Sequence, residues 1–242
     1  MEEVTEQVSK IASKTKNKGT GAGGKNTTLN GGAFENITSI ESMLLTKGFD
    51  KKDFQCIKDF FMEKKLEKEN KLLIYVKQWG LRSYMEEFYQ SSAIRKPDEA
   101  FLIIEKSNGE NKDKITINIL EKKYQSVGGS VDVKLWAGCA LKREYELYYK
   151  NKHIINYSFS LSKYLIDKIN SEEPKWVILK KILKEHDINV FNPDDLDYFN
   201  QVINWGFPCL KSCNETNQVA KPKNTEVIKS AKVLKSANEI EL

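Results

Sequence analysis

Hydrophobic and polar positions alternate most clearly between residues 114 and 123. Ile115, Ile117 and Ile119 recur at every second position, and Glu121 and Lys123 continue the same face where the apolar positions end. Successive side chains of a β-strand point to opposite faces, so this pattern predicts a half-buried strand. The strand delivers a carboxylate and an ammonium to one edge of a hydrophobic core.

A second apolar run lies upstream and carries another carboxylate at its start. Residues 100–104 (AFLII) follow Pro97 and Asp98, and the polar stretch 107–113 between the two runs is typical of a hairpin turn. If the two runs pair as antiparallel strands, Asp98 at the start of one lies near Glu121 at the end of the other. The pattern therefore brings Asp98, Glu121 and Lys123 together as candidate catalytic residues.

The remaining periodicities predict an α/β fold in which a central mixed β-sheet is flanked by helices. Helical spacing predicts helices over residues 33–45, 50–71 and 131–150, and apolar runs predict strands over residues 72–76 and 153–162. A helical connection between the catalytic strand and the strand at 153–162 makes these two strands parallel. The order is α-β-β-β-α-β with added C-terminal helices, and residues 163–207 alternate between helix-like and short strand-like patterns.

Composition divides the chain into three parts. Residues 1–28 are polar, basic and glycine-rich and are predicted to form a flexible arm. Residues 29–213 are predicted to form one domain, with a core at about 29–162 and a supporting, DNA-binding or dimerisation part at about 163–213. Residues 214–242 are polar and lysine-rich and are predicted to be a disordered tail.

Charge and composition narrow the classes of function. The 242 residues are 40% hydrophobic and carry 39 Lys and Arg against 34 Asp and Glu, a formal net charge of +5 that is compatible with a polyanionic partner. No apolar run reaches the ~18 residues of a membrane span, and no secretion signal is evident, so a soluble, intracellular protein without a membrane partner is expected. Two histidines disfavour a histidine-based nuclease and a Ser-His-Asp triad.

A glycine-rich segment imitates a phosphate-binding loop. Residues 19–26 (GTGAGGKN) fit G-x-G-x-x-G and nearly fit the P-loop motif. Both motifs need a buried strand before them and a helix after them, but a lysine-rich polar stretch precedes this one. Position 26 is also asparagine, where the P-loop needs a hydroxyl for magnesium. An NTPase is therefore disfavoured.

The acidic-x-Lys triplet by itself does not identify a site, because it recurs along this lysine-rich chain. Its other occurrences are Asp50/Lys52, Glu63/Lys65, Glu69/Lys71, Glu110/Lys112, Asp132/Lys134 and Glu173/Lys175. Among all of them, Glu121/Lys123 alone ends an alternating β-branched strand and follows a Pro-Asp by one predicted hairpin. Context therefore distinguishes this triplet, although a solvated strand end is the alternative interpretation.

Pro97-Asp98, followed by Glu121-x-Lys123, resembles the motif of the PD-(D/E)xK nucleases. The wider context, including residues 30–35 (NGGAFE) and 121–135, is similar to type II restriction endonucleases of that superfamily, and the likeness covers roughly residues 19–161. It implies a restriction-endonuclease-like core. The implied activity is Mg²⁺-dependent, site-specific hydrolysis of double-stranded DNA that leaves 5′-phosphate ends.

The resemblance also assigns roles to residues. Asp98 and Glu121 would bind Mg²⁺, and Lys123 would orient the attacking water beside the phosphate. Gln125 would hydrogen-bond a phosphate or water near the metal, or it is an ordinary polar residue at a strand end. Glu35 would face the metal site, or it is a favourable acid in the first turn of a helix.

Partners follow from the same likeness. A palindromic site cut in both strands implies a homodimer, and a cognate DNA methyltransferase is expected to protect the host DNA, in the cytoplasm of a prokaryotic or viral system. A non-catalytic basic DNA-binding protein and a repair or junction nuclease of the same fold are the alternatives. Candidate DNA contacts, which are otherwise solvent-facing polar residues, are Lys25, Asn26, Asn30, Arg82, Lys134, Lys142 and Arg143.

Overall fold

A computed structural model describes residues 25–107, 112–126, 128 and 131–210, with side chains from residue 30 onward. Most of the predicted N-terminal arm and all of the predicted C-terminal tail lie outside these residues. The described chain as far as Pro208 belongs to one compact unit. The first described helix begins at Lys25, so the last residues assigned to the arm, 25–28, are helical.

Seven strands of the described chain form one sheet in which spatial order follows sequence order. The first five strands pair antiparallel, and the last two continue the sheet in parallel, so the predicted mixed sheet is confirmed. The strands are β1 (Asp50–Asp53), β2 (Phe60–Leu66), β3 (Lys71–Lys77), β4 (Glu99–Glu105), β5 (Lys114–Lys123), β6 (Ile154–Leu161) and β7 (Asn189–Phe191).

Helices flank this sheet, as the α/β pattern predicts. They are α1 (Lys25–Ile37), α2 (Glu41–Thr46), α3 (Gly80–Tyr89), α4 (Val131–Trp136), α5 (Gly138–Tyr148), α6 (Lys163–Ile169), α7 (Pro174–Glu185) and α8 (Tyr198–Gly206), with a 3₁₀ turn at Glu67–Glu69. No helix in the described ranges has the length and apolar character that crossing a bilayer requires.

Strand β5 is covered on both faces, which explains its central place. Ile115, Ile117 and Ile119 are buried in the main hydrophobic cluster. On the other face, Asn118 is buried and its Nδ2 donates a hydrogen bond of 2.7 Å to the carbonyl oxygen of Gly206 at the end of α8. Both faces of the strand are therefore packed against other parts of the protein.

The predicted helix over residues 50–71 is wrong, because this segment forms β1, β2 and the 3₁₀ turn. Phe54 and Phe61 are buried and their rings lie 5.1 Å apart, so these two side chains face the core. A spacing of three to four residues fits a helix locally. Pairing of β2 with β3, which the local spacing does not encode, makes the segment extended.

Two other predicted helices are each divided. The helix over 33–45 is replaced by the end of α1 and by α2, and buried Thr38, directly after α1, donates a 2.6 Å hydrogen bond from Oγ1 to the carbonyl oxygen of Phe34. The helix over 131–150 is divided at Ala137 into α4 and α5. At the start of α5, a Cβ on Gly138 would lie 2.8 Å from the Phe159 ring, so the close approach to β6 needs glycine.

Candidate active site

The antiparallel pairing of β4 with β5 places Asp98 and Glu121 next to each other. The described register pairs Glu99 with Leu120, and the next positions outward are Asp98 and Glu121. Both residues therefore lie on the same face at one end of the sheet, continuing the face of Ile115, Ile117 and Ile119. The hairpin geometry expected from the sequence is the one that the structure has.

Lys123 connects the two carboxylates. Its Nζ lies 2.5 Å from Glu121 Oε2 and 3.2 Å from Asp98 Oδ2, and the side chains of Asp98, Glu121 and Lys123 are 19%, 16% and 18% exposed. The backbone N–H of Lys122 donates a further hydrogen bond of 2.6 Å to Asp98 Oδ2. Two carboxylates and one ammonium thus converge in a partly buried cluster at the sheet end.

The protonation of this cluster follows from burial and from its own charges. Burial raises the pKa of Glu121 above its ordinary value, and the Asp98 carboxylate adds to the increase while Lys123 opposes it. Burial lowers the pKa of Lys123, but Glu121 and Asp98 outweigh it, so the pKa of Lys123 is raised overall. Lys123 therefore remains an ammonium at neutral pH and is a donor of hydrogen bonds, not a general base.

Glu35 approaches the same cluster from helix α1. Because α1 begins at Lys25 and ends at Ile37, Glu35 lies in the last turn, so its interpretation as a favourable first-turn acid is wrong. A negative charge near a helix C-terminus is opposed by the helix dipole. Burial first, and then the Asp98 carboxylate, raise the pKa of Glu35, while Lys122 and Lys123 oppose them. The negative charge of Glu35 is therefore unfavourable at this position, and such locally unfavourable residues are typical of functional sites.

Replacing Glu35 with glutamine is expected to stabilise the fold at neutral pH. The pKa of Glu35 is raised in the folded state, so the ionised form destabilises the fold once the pH exceeds that pKa. The gain in the free energy of unfolding should stay below about 1 kcal/mol, because the carboxylate is partly exposed and solvent screens it. Urea denaturation at several pH values measures it.

The gain from Glu35→Gln should shrink as the pH falls through the raised pKa and vanish below the ordinary value of 4.5. An exposed glutamate of the 3₁₀ turn supplies the control, since Glu67→Gln should leave the free energy of unfolding unchanged. If Glu35→Gln were less stable than wild type at pH 7, the ionised Glu35 carboxylate would not destabilise the fold as expected.

A groove of about 520 Å³ opens beside Glu121 and Lys123. Its lining is Ile94, Arg95, Lys96, Glu121, Lys123, Lys134, Ala137 and Leu141. Lys134 was a predicted DNA contact, whereas Arg95 and Lys96 were not. Their signal was available in the sequence, because two basic residues directly precede Pro97-Asp98 and must lie near the same sheet end. Arg95 is paired with Glu144, so Lys96 and Lys134 supply the positive rim beside the carboxylates.

Among the remaining candidates, Asn30, Arg82, Gln125, Lys142 and Arg143 do not line this groove. Gln125 lies beyond the end of β5, where its backbone N–H and carbonyl exchange hydrogen bonds with the Ser162 hydroxyl. The basic candidates on α3 and α5 contact other protein groups: Arg82 with Glu86, Lys142 with the carbonyl of His186, and Arg143 with Glu146. Lys25, Asn26 and Asn30 lie on α1.

The carboxylates of Asp98 and Glu121 suit a hard divalent cation that takes only some of its ligands from the protein. Over the described ranges, no three His, Cys, Asp or Glu side chains converge as one metal-binding group. Asp98 and Glu121 supply two carboxylates, and a cation beside them would offset the charge that raises the pKa of Glu121. Mg²⁺ is commonly held by one or two carboxylates, with water and substrate phosphates in its other positions. The residues therefore fit Mg²⁺.

Comparisons with known proteins add no assignment. No protein-family model matches the chain, and neither a curated protein nor a solved structure is significantly similar to it.

Proposed function

We propose that the protein is a Mg²⁺-dependent endonuclease that hydrolyses phosphodiester bonds in double-stranded DNA, of the PD-(D/E)xK restriction type. The observation that carries the proposal is the convergence of Asp98 and Glu121 on the ammonium of Lys123 at the end of two paired strands. A surface that only binds phosphate gains nothing from two adjacent carboxylates, which repel the backbone unless a cation lies between them.

In this proposal, Asp98 and Glu121 would hold Mg²⁺, which would supply Lewis-acid chemistry for the attack of water on the phosphate. Lys123 donates hydrogen bonds to the attacking water and to a non-bridging phosphate oxygen, and its charge stabilises the transition state. Glu35, whose partly buried carboxylate lies in the last turn of α1, would take the proton from the water.

The reaction then forms one bond and breaks another. The oxygen of the water bonds to phosphorus as the bond from phosphorus to the 3′ oxygen breaks, and the leaving oxygen takes a proton from solvent. The products are a 5′-phosphate and a 3′-hydroxyl. A palindromic target would need two such sites, so a homodimer and a protecting methyltransferase remain part of the proposal.

Incubation with a plasmid of known sequence tests the proposal. Discrete fragments should form in Mg²⁺, disappear with a chelator, and be absent for Asp98→Asn, which keeps the size of the side chain but removes the negative charge. Uncut plasmid in every condition, with a retained gel-mobility shift, would reject the nuclease and support a non-catalytic DNA-binding protein. Nicks restricted to branched or damaged DNA would instead indicate a repair or junction nuclease.

The basic rim of the groove predicts the salt dependence of DNA binding. Lys96 lines the groove and is exposed, so Lys96→Ala should weaken binding of all sequences alike and reduce the slope of log K against log salt by about 1. Fluorescence anisotropy between 50 and about 200 mM salt measures this slope. Lys181→Ala, an exposed lysine of α7, is the control, and an equal change in both variants would contradict the assignment.

A further inference from the structure

Lys122 lies between Glu121 and Lys123 but points to the opposite face of the sheet. Its side chain is 1% exposed, and the partner carboxylate of Glu99 is equally buried. The ammonium lies 2.6 Å from Glu99 Oε1, 3.0 Å from the carbonyl oxygen of Thr38 and 3.2 Å from the carbonyl oxygen of Glu35. An ammonium has three protons, so these acceptors match its full hydrogen-bonding capacity.

Two of these acceptors belong to the C-terminal end of α1. The last carbonyls of a helix have no intrahelical partner and carry a partial negative charge that a cation stabilises. The last turn of α1 contains no basic residue. Lys122 therefore supplies the missing positive charge from strand β5 and caps a helix that is more than 80 positions away in sequence.

The position of the ammonium is fixed from its other side as well. Tyr75 donates a 2.8 Å hydrogen bond from its hydroxyl to the same oxygen, Glu99 Oε1, that accepts from Lys122. The backbone N–H of Lys122 meanwhile binds Asp98 Oδ2. A single residue thus holds Asp98 through its main chain and the turn that carries Glu35 through its side chain.

The contact of Lys122 with Glu35 uses the backbone carbonyl and not the carboxylate. That carboxylate accepts a 3.4 Å hydrogen bond from Gln78 Nε2. We propose that Lys122 is a positioning residue that clamps the end of α1 to β5 and thereby holds Glu35 beside Asp98. The clamp itself does not depend on any activity, whereas its effect on catalysis rests on the proposed nuclease function.

Hydrogen–deuterium exchange tests the clamp without DNA. The variant is Lys122→Met combined with Glu99→Gln, so that neither charge remains buried without its partner, and the wild-type protein, which keeps the ammonium, is the control. Backbone amides of residues 34–38 should exchange at least about tenfold faster in the double variant than in the control, while those of residues 100–104 in β4 stay unchanged. Equal exchange at residues 34–38 would overturn the clamp.

A double-mutant cycle with Glu35→Gln tests whether Lys122 acts on catalysis through Glu35. The pair Lys122→Met and Glu99→Gln should lower kcat for plasmid cleavage about tenfold or more with KM unchanged, and should cause no further loss when Glu35 is already glutamine. Additive losses would show that Lys122 supports the fold in general and would overturn its action through Glu35. A wild-type protein that never cleaves would overturn this part together with the nuclease, while the exchange rates would still decide the clamp.

Discussion

Lys123→Met is expected to lower the rate of Mg²⁺-dependent DNA cleavage by about 10²–10³-fold, the effect of losing one preorganised donor to the transition state. Methionine keeps an unbranched chain of similar length but removes the ammonium that contacts Glu121 and Asp98. Because the pKa of Lys123 is raised, the side chain is charged at neutral pH, and the substitution removes that charge. Single-turnover cleavage of a labelled duplex measures the chemical step.

The chain supplies a matched control for this variant. Lys65 on β2 stands in another Glu-x-Lys triplet with Glu63, but it is exposed and far from the end of β5 in the order of the strands. Lys65→Met should leave the cleavage rate unchanged. Equal rates for wild type and Lys123→Met, or an equal loss in both variants, would show that the triplet at 121–123 has no special role.

Lys122→Met as a single change is expected to reduce the free energy of unfolding by about 3–5 kcal/mol, which is the usual cost of removing one partner from a buried ion pair. The variant leaves the Glu99 carboxylate buried and without the ammonium, although the Tyr75 hydroxyl still donates a hydrogen bond to it. It also leaves the carbonyl oxygens of Glu35 and Thr38 without their cation. Urea denaturation at pH 7 measures the loss.

Removing the second charge should restore much of that stability. When both members of a buried pair are replaced by apolar residues of similar volume, the change is often neutral or stabilising, so Lys122→Met with Glu99→Leu should be more stable than Lys122→Met alone. If the free energy of unfolding of Lys122→Met alone lay within about 1 kcal/mol of the wild-type value, the pair would be hydrated in solution and would contribute little to the stability of the fold.

The sequence by itself determined the part of the site that lies on the β4–β5 hairpin. Alternation at Ile115, Ile117 and Ile119 fixed which face Glu121 and Lys123 share, because the period of a strand is two. The Pro-Asp at the start of the preceding run then placed Asp98 opposite Glu121, since hairpin pairing is local and its register follows from the turn. The mixed sheet followed from the helical connection to β6.

Other features were decided by contacts between distant segments. β1 and β2 are strands because β2 pairs with β3, although the spacing of Phe54, Ile57 and Phe60 fits a helix equally well. Likewise, the end of α1 at Ile37 places Glu35 at a helix C-terminus, a position that a short amphipathic pattern does not specify.

Tertiary structure also separated two adjacent lysines that look alike in the sequence. Lys123 faces the groove and the carboxylates, while Lys122 is buried against Glu99 and the end of α1. The strand period predicts opposite faces for them but gives no information about what covers each face. Only the packing of a helix more than 80 residues away makes one a candidate catalytic group and the other a clamp, because burial and charge pairing depend on the whole fold.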